Sequence, residues 1–221
     1  MHIINAIGSR WAGSRSATMI KAVFTAELLF DTIDSGVVAF SSILQAGFKV
    51  NVHTGSSIRD LLCNQFDVNP DYVEDRIRTA FLNGKPVDDF STAIIESNAT
   101  LALSAAMPGL VGATFRKGGD LAVFRGTITH RRGDTVAEDR TDVVSVKLFN
   151  LLAKEIGATF LKRGVMVDSD TAKWFFSDPP DTFRRGCKSI LANGENIHID
   201  KLSQTITSGS EGFVELRLLA S

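Results

Sequence analysis

The residues of this 221-residue chain that could do chemistry are few and dispersed. His2, His53, His130 and His198 stand at no metal-ligand spacing from one another, and Cys63 and Cys187 lie far apart, outside any Cys-x-x-Cys or Cys/His pattern. Zinc needs several such ligands converging on one point, so no metal site is expected. The two thiols read as reduced, small hydrophobes. A Gly-x-Ser-x-Gly elbow and a His-Glu-x-x-His pair are both missing, so no catalytic set is expected and no cofactor is called for. Four stretches keep a possible role. Gly8 to Ser14 is rich in glycine and serine ahead of a predicted helix, where free amides can hold an anion. It lacks a Walker lysine and reads first as a loop. Arg131 and Arg132 carry planar forks that could clamp a phosphate or carboxylate, although the acidic residues that follow favour a solvated linker. Ala105 to Phe115 is small, apolar and glycine-rich. It reads as a buried strand-turn-strand, or as a place where Met107, Pro108, Gly109 and Gly112 let a ligand or partner approach the backbone closely. Lys117-Gly118-Gly119-Asp120 reads as a turn.

Composition narrows the classes. A formal net charge of -1 gives no global attraction to nucleic acid or to an anionic membrane. Met19 to Phe30 is apolar but holds Lys21 and Glu27, and it is too short for a membrane span. It also lacks a small-x-small cleavage site, so a cytoplasmic protein is expected. The length suits one large domain or two small ones.

The elements that must position these residues follow from periodicity. Ser14 or Ser16 can cap a helix running to about Asp34, with Ile20, Val23, Phe24, Leu28 and Ile33 on one stripe and Ser35-Gly36 ending it. Val37 to Gln45 is a second helical segment, stopped by Gly47. Phe48 to His53 alternates as a strand, and Ile58 to Phe66 presents a helical face. Asn69-Pro70 opens a further turn of helix. Thr79 to Leu82 is a strand closed by Asn83-Gly84, a strong hairpin signal, and Thr100 to Ala105 is another strand. A second passage is parallel in order: a strand at Val143 to Asn150, a helix from Leu151, an added strand at Val165 to Val167, and a short helix at Thr171 to Phe176. A strand into Asn193-Gly194 and a last strand at Gly212 to Leu219 complete it. In this reading Asn83-Gly84 matches Asn193-Gly194, Val87 matches Ile197, and Leu103 matches Leu216. Trp174-Phe175-Phe176 reads as core before it reads as a recognition patch.

On these residues the pattern resembles the ubiquitin-like β-grasp fold, in its sulfur-carrier branch (the ThiS/MoaD-like proteins). Val144 to Gly157 is similar to that branch's opening strand and Leu-rich helix. Leu82 to Gly109 is similar to its later half. The resemblance covers about Phe48 to Gly112 and Val143 to Leu219. It implies an α+β protein of two β-grasp units in tandem behind an N-terminal helical segment. The expected divisions are 1–46 for the helical segment, 47–120 for the first unit, 121–142 for a linker or strand extension, and 143–221 for the second unit. The implied function is non-catalytic binding or scaffolding, through a protein partner or self-association. A sulfur carrier works through a free terminal Gly-Gly. The present sequence ends Leu218-Leu219-Ala220-Ser221, so carrier chemistry would require cleavage after Gly119 to expose Gly118 and Gly119. A small-molecule ligand between the two units is the remaining expectation.

Overall fold

The computed structural model describes residue 22 and residues 24–106, 109–119, 140–206 and 212–220. The chain is a mixed α/β protein built on one ten-stranded sheet. The strands are β1 (Phe24–Phe30), β2 (Phe48–Thr54), β3 (Thr79–Leu82), β4 (Lys85–Pro86), β5 (Thr100–Ser104), β6 (Arg140–Phe149), β7 (Val165–Asp168), β8 (Cys187–Ala192), β9 (Glu195–Ile197) and β10 (Phe213–Ala220). Their order across the sheet is β4-β3-β5-β6-β2-β7-β10-β1-β8-β9. Helices α1 (Ile33–Ala39) and α2 (Ser41–Ala46) join β1 to β2, and α6 (Leu151–Glu155) and α7 (Gly157–Arg163) join β6 to β7. After β2 come α3 (Ile58–Asp60), continued by a π turn over Leu61–Gln65, and α4 (Pro70–Asp75). Helix α5 (Gly109–Phe115) follows β5, α8 (Ser169–Ser177) and α9 (Asp181–Gly186) follow β7, and α10 (Ile199–Thr205) follows β9.

The two halves of this order share one register. Leu82 faces Leu101 at one end of the sheet and Ala192 faces Ala26 at the other. Thr100 pairs in parallel with Ser145, and Thr25 with Glu215. Lys49 faces Ser145, and Met166 faces Glu215. Each Asn-Gly corner carries two positive φ angles, 52° and 78° at Asn83-Gly84 and 49° and 87° at Asn193-Gly194, as a type I′ turn demands. The Asn83 amide N–H donates to the Thr100 carbonyl at 2.9 Å, and Thr100 N–H donates back to Asn83 Oδ1 at 2.8 Å. Asn193 and Thr25 repeat this exchange at 2.8 and 2.9 Å. Lys49 and Met166, which hold the same place in the two ladders, pair with each other.

Several expectations change. Residues 24–30 form a strand where a helix was expected. Phe24, Ala26, Leu28 and Phe30 are buried at a period of two, because the segment lies between β10 and β8, and tertiary pairing overrides the helix preference of Ala-Glu-Leu-Leu. Ser35-Gly36 does not end a helix. Thr32 and Ser35 form the capping box that starts α1. The glycine instead makes room for Leu218, since a Cβ at Gly36 would stand 2.5 Å from Leu218 Cδ1. Ala105 to Phe115 is not strand-turn-strand: β5 ends at Ser104 and residues 109–115 are helical. The added strand Val165 to Asp168 is the counterpart of β2, with Gly164 matching Gly47 before it, whereas the strand from Val143 sits between β5 and β2. Leu103 accordingly corresponds to Leu28 rather than to Leu216. The expected boundary near residue 143 does not divide the hydrogen-bonded sheet, and β1 pairs with strands from the far end of the chain.

Alternation places one set of strand side chains in a core with the helices and leaves the other set on an open face. Phe48, Val50 and Val52 are buried while Asn51 and His53 are exposed. Phe30, Phe40, Phe175, Phe176 and Phe183 meet as one aromatic cluster at centroid distances of 5.1–6.4 Å. The core reading of Phe175 and Phe176 therefore holds, while their neighbour Trp174 is 76% exposed.

Candidate functional site

The sheet is weakest at its middle, and this weakness makes the site. β2 and β7 share a single register position, Lys49 with Met166. β2 runs on to Thr54, but the opposing chain leaves the sheet at Gly164, whose φ of +97° turns it into α7. Among the described residues no strand then pairs with β2 on that side at His53, whose backbone groups need another partner. Gln65, on the π turn, supplies the partner. Its Oε1 accepts from His53 N–H at 2.9 Å, and its Nε2 donates to the His53 carbonyl at 2.9 Å and to Ser56 Oγ at 3.0 Å. A side-chain amide thus stands in for one peptide of the missing strand.

What remains is a cleft of about 630 Å³ where the two halves of the sheet diverge. Asn51, His53 and Thr141 line one wall, and Lys162, Arg163 and Gly164 the other. Met166, Glu215 and Arg217 also border it. Arg163 is committed elsewhere: it donates to the Gln65 carbonyl, pairs with Asp67, and lies over the Phe66 ring. Glu215 Oε1 packs against Gly164, where a Cβ would come within 2.3 Å of it, and it accepts from Arg217 Nη2 at 2.8 Å.

The residues named from sequence fall elsewhere. Met107, Pro108, Arg131, Arg132, His2, His130 and Gly8 to Ser14 lie outside the described residues. Gly109 opens α5 and Gly112 is buried within it. Gly118 and Gly119 occupy a turn after α5, held by a hydrogen bond from Lys117 N–H to the Arg78 carbonyl at 2.7 Å. The Lys117 ammonium sits 3.1 Å from Glu74 and 4.5 Å from the Phe90 ring centre, which anchors that turn. Of the histidines, His53 borders the cleft, while His198 caps α10 by accepting from Asp200 N–H at 3.4 Å. Cys63 and Cys187 are free. Burial raises the Cys63 thiol above its usual range and pushes Cys187 up to about 11, which keeps both protonated. Among the described residues no group of three or more His, Cys, Asp or Glu could hold a metal ion. No helix of those residues is long and apolar enough to cross a membrane.

Two further polar clusters are struts. Asp142 is buried in β6 with Arg140 at 3.0 Å. Burial alone would raise its carboxyl, but Ser97, the Val143 N–H and Arg140 together hold it below the usual range. Between α4 and α6, Tyr72 Oη donates to Glu155 Oε2 at 2.6 Å and Arg76 Nε donates to it at 2.9 Å. Chiefly through the Arg76 hydrogen bond, against some burial, Glu155 is lowered from about 4.5 to about 2. The unfolded chain binds more protons in that window, so stability is expected to rise with pH from about 2 to about 4.5. Urea midpoints measured across that range should show this limb, and Glu155→Gln should flatten it.

Sequence reasoning missed the cleft because its walls come from segments more than a hundred residues apart. One signal was available in Gly47 and Gly164, each ending a helix directly ahead of a strand. No protein-family model, curated protein or solved structure matches this chain.

Proposed function

We propose that this protein is a non-catalytic binding module made of two β-grasp, ubiquitin-like halves, and that it holds a small molecule in the cleft between them. The support for the fold assignment is the strand order. β2-β6-β5-β3-β4 and β7-β10-β1-β8-β9 each set a parallel central pair between antiparallel neighbours, with a helix following the first-named strand. In this reading the first half is contiguous from β2 to β6, and the second takes its central strand β1 from the N-terminal side of the chain.

The observation that carries the binding reading is the single-residue junction of β2 and β7. A continuous sheet would have closed there; among the described residues a polar cleft stands in its place, and Gln65 covers the His53 backbone. Ligand sites favour such junctions. Partner binding by strand addition draws less support. The sheet ends in β4, two residues long with Pro86, and in β9, three residues long, and short or proline-bearing edges make poor templates.

Thr141→Trp tests the proposal. Thr141 faces His53 across the β2/β6 pair on the open side, so an indole there fills the cleft. Native mass spectrometry of protein purified from its own cells is expected to show a small-molecule adduct that Thr141→Trp removes. A fragment titration should shift the Asn51 and His53 amide signals in the parent chain alone. An adduct that survives Thr141→Trp, or fragment shifts confined to other surfaces, would overturn the reading.

A further inference from the structure

We infer that the ligand of this cleft carries a carboxylate or phosphate group and that Arg217 receives it, an assignment that rests on the cleft being the binding site. Arg217 lies on the open face of β10, two residues beyond Glu215. Its Nη2 is engaged by Glu215 at 2.8 Å, but its Nε is buried and, among the described residues, has no hydrogen-bond partner. A guanidinium presents its N–H groups as a planar fork, and its usual complement is a two-oxygen anion. With one nitrogen held by Glu215, the head is fixed in orientation while Nε is left for a ligand.

The surroundings favour the same charge. Among the described residues, Lys162, Arg163 and Arg217 line the cleft against one carboxylate, Glu215, in a chain whose overall charge is -1. A cleft with an excess of positive charge and low-dielectric walls concentrates anions. Arg163 is tied to Asp67 and the Gln65 carbonyl, which leaves Lys162 as the auxiliary cation of the lining. Asn51 and His53 on the opposite wall offer neutral hydrogen bonds to the rest of the ligand. Glu215 is fixed by packing against Gly164 and by its bond to Arg217. It disfavours an anion placed on its own side, and so directs the charged group toward Nε.

Arginine-selective and amide NMR titrations with inorganic phosphate, with succinate, and with a neutral fragment set test this. Phosphate and succinate arms separate the two anion sources. The expected result is a saturable shift of the Arg217 Hε signal with one of the anions, weakened at least tenfold in Arg217→Gln and about two- to threefold in Lys162→Gln. Arg217→Lys keeps the charge without the fork and is expected to fall between parent and Arg217→Gln. It serves as the readout if Arg217→Gln fails to fold. Non-saturating shifts, or equal shifts in parent and Arg217 variants, mean an adventitious ion only and overturn the assignment. If the anions fail while neutral fragments still move Asn51 and His53, the cleft stands and the anion inference falls. If nothing moves those amides, both fall.

Discussion

Phe40→Ala is expected to cost about 3–5 kcal/mol of folding stability and to lower the thermal midpoint by on the order of 10 °C. Phe40 is 0% exposed, and its ring touches those of Phe30, Phe175, Phe176 and Phe183. These rings come from β1, the α1–α2 corner, α8 and α9. The site cannot collapse around a missing ring without moving elements of both the first and last thirds of the chain, so the cavity persists and its full cost is felt. Edge-to-face geometry adds a further increment beyond buried area. Trp174→Ala is the comparison: at 76% exposure it should change the midpoint by no more than a degree or two. Differential scanning calorimetry on both variants decides the matter. A Phe40→Ala shift no larger than that of Trp174→Ala would mean that the cluster does not join these elements.

The same cluster shows what the sequence discloses and what it hides. Strands β2, β3, β5, β8 and β10 and both Asn-Gly corners are legible because each has a local cause: alternation, or a turn that needs two left-handed residues. Phe24 to Phe30 is illegible for the converse reason. Its local pattern fits a helix stripe as well as a strand, and the decision is made by β10 and β8, whose paired residues lie more than 150 positions away. That one ambiguity propagates. With β1 taken as helix, the strand from Val143 is free to be matched with β2. In the sheet, β7 is the match, and the equivalence of Gly47 and Gly164 is what reveals it. The cleft was hidden further still, because a site formed where pairing stops leaves no signature in either strand. Besides Gly47 and Gly164, Gln65 hints at it, being a polar residue after an apolar helical face, placed where its amide reaches His53.

Gly164→Ala is expected to cost about 2–4 kcal/mol and to damage the cleft with the fold. Two effects act together. The backbone at φ +97° is one that side-chain-bearing residues rarely adopt, and the new Cβ would meet Glu215 Oε1 at 2.3 Å. Moving the carboxylate disturbs its bond to Arg217, made at 2.8 Å. A pair of comparisons separates the terms. Gly118→Ala meets the backbone penalty alone, since its φ is +61° with nothing within 4 Å of the added atom, and should cost about 1 kcal/mol. Gly164→Ala combined with Glu215→Ala relieves the clash and keeps the backbone penalty, so it should be more stable than the two single losses added together. Urea midpoints of the four chains close this cycle. Strict additivity would mean that Glu215 does not rest on Gly164, and the geometry that aims Arg217 into the cleft would lose its support.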